Sequence, residues 1–396
     1  VTTGTAGTLG GPLSAAAPVT PAESETSLAA PVTSAAASVA GLTWETARAL
    51  EAVGLDAADV VRVVRAALDE DFRYGADMTS VATVAGRTVT AEVVAREAGV
   101  LSGGPVALAV LELIADYLGE RAEYPGGPAV NGAAGPTTTG GDGNGAGEPS
   151  RNGAGEPSRN GAGEPESDGA WAAGPLVAGT ALVADGSRVA PGTAVLRVSG
   201  DAVAVLGAER TILNFLTHLS GIATATRTWA DSVAGTGAVI RDTRKTLPGL
   251  RGLEKYAVRC GGGHNHRMGL GDAALVKDNH VAAAGGIGAA VRAVHAAARP
   301  GLVIEVECDS VDQVREALAA GARFILLDNM PVPVLREAVA VARGYDGVRL
   351  EASGGLWLSN ARAVAETGVD YLAVGALTHS ARVLDLGLDY SGSEDR

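Results

Sequence analysis

The sequence predicts an α/β protein whose second half is a parallel β/α barrel. Three observations carry this: six short apolar runs follow one another, helical segments separate most of them, and each run ends in polar or glycine residues. The runs are Ala238–Ile240 into RDTRKT, Ala273–Val276 into KDNH, Leu302–Val306 into ECDS, Phe324–Leu327 into DNM, Val348–Leu350 into EASGG and Tyr371–Val374 into GALTHS. Continuous apolar strands alternating with helices indicate a parallel sheet covered by helices. Six such units in about 140 residues fit a barrel better than an open doubly wound sheet. A barrel of this kind builds its site at the C-terminal strand ends, which here hold the ionisable groups.

The elements before the barrel are read in order. Residues 1–40 are Ala, Thr, Ser and Pro with almost no charge, the composition of a disordered tail. They lack the basic start and continuous apolar run of a secretory signal. From Trp44 to Ala67, Leu50, Val53, Leu55, Val60, Val61, Val63 and Val64 recur at helical spacing. Thr88 to Val94 alternates as a strand does, and Val106 to Leu118 is a helix apolar on most faces. The segment 126–169 contains a tandem repeat, NGAGEPSR at Asn144–Arg151 and again at Asn152–Arg159, and has too few apolar residues to bury a core. It reads as a flexible surface insertion, which a domain tolerates because closure entropy grows slowly with loop length. Leu182 to Leu196 reads as strands with turns at Asp185-Gly186 and Pro191-Gly192. Ala208 to about Ala234 is helical, with Gly221 expected to interrupt it.

Charge narrows the function. The formal net charge is −14, so there is no global attraction for nucleic acid or an anionic membrane. Yet between Arg241 and Lys277 stand eight cations against three carboxylates. Of the 31 basic residues only three are lysine, Lys245, Lys255 and Lys277, and all lie in this window. Lysine is a compact point charge with a tunable pKa, which arginine cannot replace. The two cysteines, Cys260 and Cys308, form no C-x-x-C pair, which fits a reducing cytoplasm. His264, His266 and Cys260 lack a fourth ligand at zinc spacing, so zinc is rejected. No stretch is long and apolar enough to span a bilayer.

The strand ends suggest chemistry. Thr243-Arg244-Lys245, Asn265-His266-Arg267 and Lys277 together would make a site for a small polyanion, and two arginines with a lysine suit a rigid dicarboxylate. Glu307 and Asp328, on adjacent strands, would hold Mg²⁺ directly or through water, or would pair with the lysines; the sequence leaves both open. Glu305 shares the face of Glu307 and would serve the barrel interior. Ser353-Gly354-Gly355 and Gly375-Ala376 follow the last two strands, where backbone amides often bind phosphate.

The stretch RDTRKTLPGLRGLEKYAVRCGGGHNHRMGLGDAALVKDNH (Arg241–His280) resembles the signature of the quinolinate phosphoribosyltransferases. The resemblance extends to ERTILNFLTHLSGIAT, VECDS, LLDNM, LEASGGL and VGALTHS in the same order. It implies transfer of phosphoribosyl from phosphoribosyl pyrophosphate to quinolinate with loss of CO₂, giving nicotinate mononucleotide and pyrophosphate for de novo NAD synthesis, with Mg²⁺. It also implies an α/β fold of two domains: an N-terminal α/β sandwich (41–125 and 170–220) and an incomplete parallel α/β barrel (221–385), followed by a C-terminal tail (386–396). A homodimer with shared active sites is implied, one subunit covering the barrel mouth of the other. By the same resemblance Arg244, His266, Arg267 and Lys277 form the quinolinate pocket, with Thr243 beside them and Arg210 supplied from the neighbouring subunit. Lys245 and Lys277 meet the donor, Glu307 and Asp328 are the Mg²⁺ and ribose pair, and Ser353, Gly354 and Gly375 hold the 5′-phosphate. Three rival readings remain at this point: a barrel lyase with Lys277 as a Schiff base, a related phosphoribosyltransferase with another acceptor, and a dicarboxylate sensor.

Overall fold

The computed structural model describes residues 41–119 and 177–395. The expected tail at 1–40 and the repeat insertion at 126–169 lie outside these residues.

The first helices begin where side chains satisfy free backbone amides. Thr43 caps α1 (Trp44–Ala52), Asp56 caps α2 (Ala57–Asp71) and Asp77 caps α3 (Met78–Val84), each accepting from an amide of the first turn. The helical spacing over 44–67 therefore resolves into two helices. Gly54 stands between them at φ +74°, a conformation glycine adopts without the Cβ penalty. Next come β1 (Arg87–Ala95), β2 (Gly99–Val100), α4 (Gly104–Gly119), β3 (Val177–Ala181), β4 (Arg188–Val189) and β5 (Ala194–Asp201). The turns expected at Asp185-Gly186 and Pro191-Gly192 are present. Asp201 then caps α5 (Ala202–Ser232), accepting from Val203 N at 3.0 Å and Ala204 N at 3.1 Å.

Helix α5 runs unbroken through Gly221, contrary to the expected interruption. The glycine is there for packing: a Cβ at that position would lie 2.0 Å from the carbonyl oxygen of Arg382. The main chain of another segment occupies the space a side chain would need.

The barrel elements follow: β6 (Val239–Arg241), α6 (Arg251–Cys260), β7 (Ala273–Val276), α7 (Asp278–Ala284), α8 (Ile287–Ala297), β8 (Val303–Cys308), α9 (Val311–Ala319), β9 (Phe324–Asp328), α10 (Val332–Ala342), β10 (Arg349–Ser353), α11 (Leu358–Ala365), β11 (Tyr371–Ala373), α12 (Ala376–His379) and finally β12 (Leu386–Asp395). Each of the six apolar runs became a strand. They form one parallel sheet in the order β6-β11-β10-β9-β8-β7. The expected class, a sandwich plus an incomplete parallel barrel, is borne out. Its edge strands β6 and β7 do not pair with each other; instead His264 makes a parallel bridge to Arg241, so the segment at 264–267 lies along the open edge.

The remaining large sheet is antiparallel, in the order β12-β1-β5-β3. Inward residues Val89, Ala91, Val93 and Ala95 alternate along β1 and are buried, and α4 and α5 cover the sheet. The stretch at 386–396, expected as a tail, mostly forms β12, which pairs along the whole of β1. The apolar alternation of Leu386 and Leu388 is short, and its partner strand is about 300 residues away, so local pattern did not reveal it. Among the described residues no helix is long and apolar enough to cross a membrane.

Candidate active site at the barrel mouth

Parallel pairing fixes which side chains share a face, because directly opposed residues point the same way. Ser353 on β10 lies opposite Asp328 on β9 and Ala373 on β11, and Ala373 lies opposite Arg241 on β6. Val276 lies opposite Val306, so Lys277 and Glu307 emerge side by side. All the strand ends therefore open at one rim, and the barrel interior lies beneath it.

Two aromatic rings flank the polar interior: Phe324 and Tyr371, opposite Glu305 and Glu351 in the strand register, pack at a 42° tilt with centroids 5.7 Å apart, and the guanidinium of Arg241 lies 5.3 Å and 4.8 Å from their centroids. Such contacts favour a cation that has left water. The interior layer is polar and buried: Arg241 bonds Glu351, and His266 Nε2 stands 2.9 Å from Glu305 and 3.5 Å from Glu351. Glu305 and Glu351 are 2% and 0% exposed, and one oxygen of each has no hydrogen-bond partner. Burial pushes both carboxyls up to about 7 and pulls His266 down to about 4. The ligand atoms of His266, Glu305 and Glu351 lie within 4.8 Å of one another. This group does not fit a metal site: all three residues are buried beneath the mouth, and Arg241 already brings a cation onto Glu351.

This layer makes a pH prediction. A carboxyl whose pKa rises from 4.5 to about 7 on folding keeps its proton longer in the folded state. Its stabilising contribution is complete below about pH 4.5 and is lost as pH rises through about 7; each pH unit between those two values is worth about 1.4 kcal/mol. His266 acts oppositely: its contribution is present above about 6.5 and lost as pH falls through about 4. The two trends partly cancel. With two such carboxyls, Glu305 and Glu351, against one imidazole, stability falls with rising pH in the parent; Glu351→Gln removes one of them, so Tm is expected to fall less steeply between about pH 5 and about pH 7 than in the parent. Equal slopes in thermal melts of the two proteins would contradict this account of the layer.

The top layer is the rim. Lys277 Nζ contacts Glu307 at 2.6 Å, and the backbone amide of Lys277 donates to His280 Nδ1 at 2.9 Å. His280 thus holds the turn that presents the lysine. The salt-bridge alternative for Glu307 is realised in this state of the protein, while the carboxylate stays half-buried at the mouth. Asp328 accepts from Asn329 Nδ2 at 2.9 Å, and Asn329 N donates to the carbonyl of Ser353 at 2.8 Å. Asn329 is the only non-glycine residue at positive φ among the described residues, at 53°. Gly354 must be glycine: its φ is +78°, and a Cβ would stand 2.2 Å from Asn329 Oδ1. Gly375 is packed in a similar way against Lys245, whose Cδ would lie 3.1 Å from an added Cβ. Thr243 Oγ1 accepts from Lys245 N at 3.0 Å and Thr378 donates to Lys245 O at 2.8 Å, so the Thr243–Lys245 turn is tied to α12.

Two guanidiniums complete the rim. Arg244 carries a buried Nε with no hydrogen-bond partner. Arg267 donates to the carbonyl of Ala273 at 3.0 Å, and its pKa is lowered by burial and then by the charge of Arg244. Two half-buried cations held near each other favour an anion between them.

The structure thus brings Thr243, Arg244, Lys245, Arg267, Lys277, Glu307, Asp328, Ser353, Gly354 and Gly375 to one rim. His266 lies deeper, 8% exposed, with its ring against the buried glutamates. Arg210 is exposed on α5, next to Thr211, whose hydroxyl bonds Asp71 at the end of α2. Sequence reasoning missed Glu351 and Asn329. Glu351 was open to discovery, since it is two residues from Ser353 on the same strand face; the positive φ of Asn329 left no signal beyond the Asp-Asn pair.

Comparison with known proteins identifies the family. Residues 222–389 match the family model for the quinolinate phosphoribosyl transferase C-terminal domain, and residues 172–220 match the N-terminal domain. The nicotinate-nucleotide pyrophosphorylase [carboxylating] of Mycobacterium leprae is 47% identical over 330 residues, covering 82% of this chain and 95% of that protein. The Bacillus subtilis protein, a probable nicotinate-nucleotide pyrophosphorylase [carboxylating], is 44% identical over 53% of this chain and 72% of its own length. The solved nicotinate-nucleotide pyrophosphorylase from Francisella tularensis superposes with a TM-score of 0.66 at 32% identity, covering 84% of this chain and 96% of that one. On these matches the chain belongs to the quinolinate phosphoribosyltransferase family.

Proposed function

We propose that the rim described above is where this enzyme transfers phosphoribosyl from phosphoribosyl pyrophosphate to quinolinate, with decarboxylation, in NAD biosynthesis. The observation that carries the site assignment is the close placement of Arg244 and Arg267, two half-buried guanidiniums, the first with a buried Nε that no group among the described residues engages. Each carboxylate of quinolinate gives one of them a charge-assisted partner.

The pyridine nitrogen then attacks C1 of the ribose as the bond from C1 to pyrophosphate breaks. Positive charge builds on the ribose in an oxocarbenium-like transition state, which the carboxylates of Glu307 and Asp328 stabilise. Lys245 and Lys277 face the anionic donor and offset its charge as pyrophosphate departs. The bond from C2 to the carboxylate breaks next, and its electron pair stays on C2 beside the cationic ring nitrogen until C2 takes a proton. Ser353, Gly354 and Gly375 border the place for the 5′-phosphate, with glycine allowing close backbone approach.

Glu307 and Asp328 fit Mg²⁺: they are hard oxygen donors, half-buried, on neighbouring strand ends that open at the mouth. When bound there, the ion supplies charge neutralisation to the leaving pyrophosphate. Arg210, exposed on α5, serves the site of a second copy in a homodimer.

The clamp is tested by calorimetric titration. Quinolinate, with two carboxylates, is expected to bind at least about tenfold more tightly than nicotinate, with one, because each lost charge-assisted bond costs about 1.5–3 kcal/mol. Equal affinities would count against the assignment of Arg244 and Arg267.

A further inference from the structure

Lys255 is one of the three lysines, yet it is not at the rim. It lies on α6 and is 0% exposed, the largest fully buried side chain among the described residues. Its Nζ donates to Asp242 Oδ1 at 2.5 Å and to the carbonyl of His266 at 2.7 Å. Asp242, also 0% exposed, in turn accepts from His266 N at 2.8 Å and from Asn265 Nδ2 at 2.5 Å. Ammonium, carboxylate and the backbone of one residue close into a ring of bonds shut off from solvent.

The segment held by this ring is the one along the open edge of the barrel. It follows Gly261, Gly262 and Gly263, with Gly262 at φ +87°, so its approach has little stiffness of its own. It ends in Arg267, whose amide donates to His266 Nδ1 at 2.7 Å. The neighbouring Glu254, also 0% exposed, holds the other cation-bearing segment by accepting from Leu247 N at 3.1 Å. Two consecutive buried charges on α6 thus hold the two loops that carry the clamp.

We infer that Lys255 is a positioning residue of the acceptor site: its ammonium, bound to Asp242 and to the carbonyl of His266, sets where Arg267 stands. The inference rests on the proposed function of the rim. The carbonyl and carboxylate would repel each other without a cation between them. Lysine suits the place because two short contacts from one small ammonium are needed, and a planar guanidinium is too wide. This explains a lysine kept in a chain whose other basic residues, the remaining two lysines apart, are arginine.

The test uses Lys255→Met in the full chain, assayed well below its melting temperature. KM for quinolinate is expected to rise at least about tenfold while KM for phosphoribosyl pyrophosphate stays within about threefold, since misplacement of about 1 Å can cost a hundredfold. In an Arg267→Ala background the same change is expected to cost less than about threefold, because its route is already cut. If Lys255→Met does not fold, Lys255→Met with Asp242→Asn removes both charges and keeps an acceptor for His266 N; the same selective rise is expected. Losses that fall equally on both substrates, or that multiply with Arg267→Ala, would overturn the inference. Parent protein that neither binds nor turns over quinolinate would remove the functional reading, and this inference with it; a competent parent with a normal Lys255→Met removes this inference alone.

Discussion

Arg244→Ala is expected to lower kcat/KM for quinolinate by at least about 100-fold, equivalent to about 2.7 kcal/mol of transition-state stabilisation. The guanidinium is half-buried and its Nε has no partner among the described residues, so the bonds it makes to substrate are not exchanged for internal ones. A charge-assisted bond of this kind contributes about 1.5–3 kcal/mol, and a bidentate pair more. Stability should move the other way or not at all. Removing Arg244 breaks no hydrogen bond at its buried Nε and relieves its repulsion of Arg267, so Tm should hold or rise slightly. Loss of activity without loss of Tm separates a site residue from a structural one. Near-normal steady-state rates would exclude Arg244 from the site.

The largest expected effect on stability is at Gly221. In an exposed helix, glycine to alanine gains about 1 kcal/mol from propensity. Here the sign reverses. The new Cβ would lie 2.0 Å from Arg382 O and 2.9 Å from both Arg382 C and Val383 Cα. These are backbone atoms, so no side chain can rotate away, and α5 or the 382–383 segment must shift. Overpacking of this kind costs about 1–3 kcal/mol and more where backbone must move. Gly221→Ala should therefore lose about 2 kcal/mol or more net, a fall in Tm of about 2–3 °C or more for a chain of this size. A melting curve shifted upward would show that the contact is not as close as described.

The second half of the chain was legible because its strands are continuous apolar runs, and because a parallel barrel puts every strand end at one rim. Arg244, Lys277, Glu307, Asp328 and Ser353 could be placed from that rule and from the resemblance. What stayed hidden depends on contacts between residues far apart in sequence. Arg241 and Glu351 meet across β11, and Lys255 reaches Asp242 and His266 from a helix whose own pattern shows only a charged residue at a buried position. Gly221 reads locally as a helix breaker, and only the passage of Arg382 beside it explains why it is there. Strand β12 takes its pairing from β1, about 300 residues earlier in the chain. Local periodicity carries no information about such partners.

The central claim is tested most directly by incubating the purified protein with phosphoribosyl pyrophosphate and Mg²⁺, and following pyrophosphate and CO₂ with quinolinate or nicotinate as acceptor. Equal amounts of pyrophosphate, CO₂ and nicotinate mononucleotide from quinolinate, and none from nicotinate, are the predicted result. Pyrophosphate release with nicotinate and not with quinolinate, or no release with either from folded protein, would contradict it.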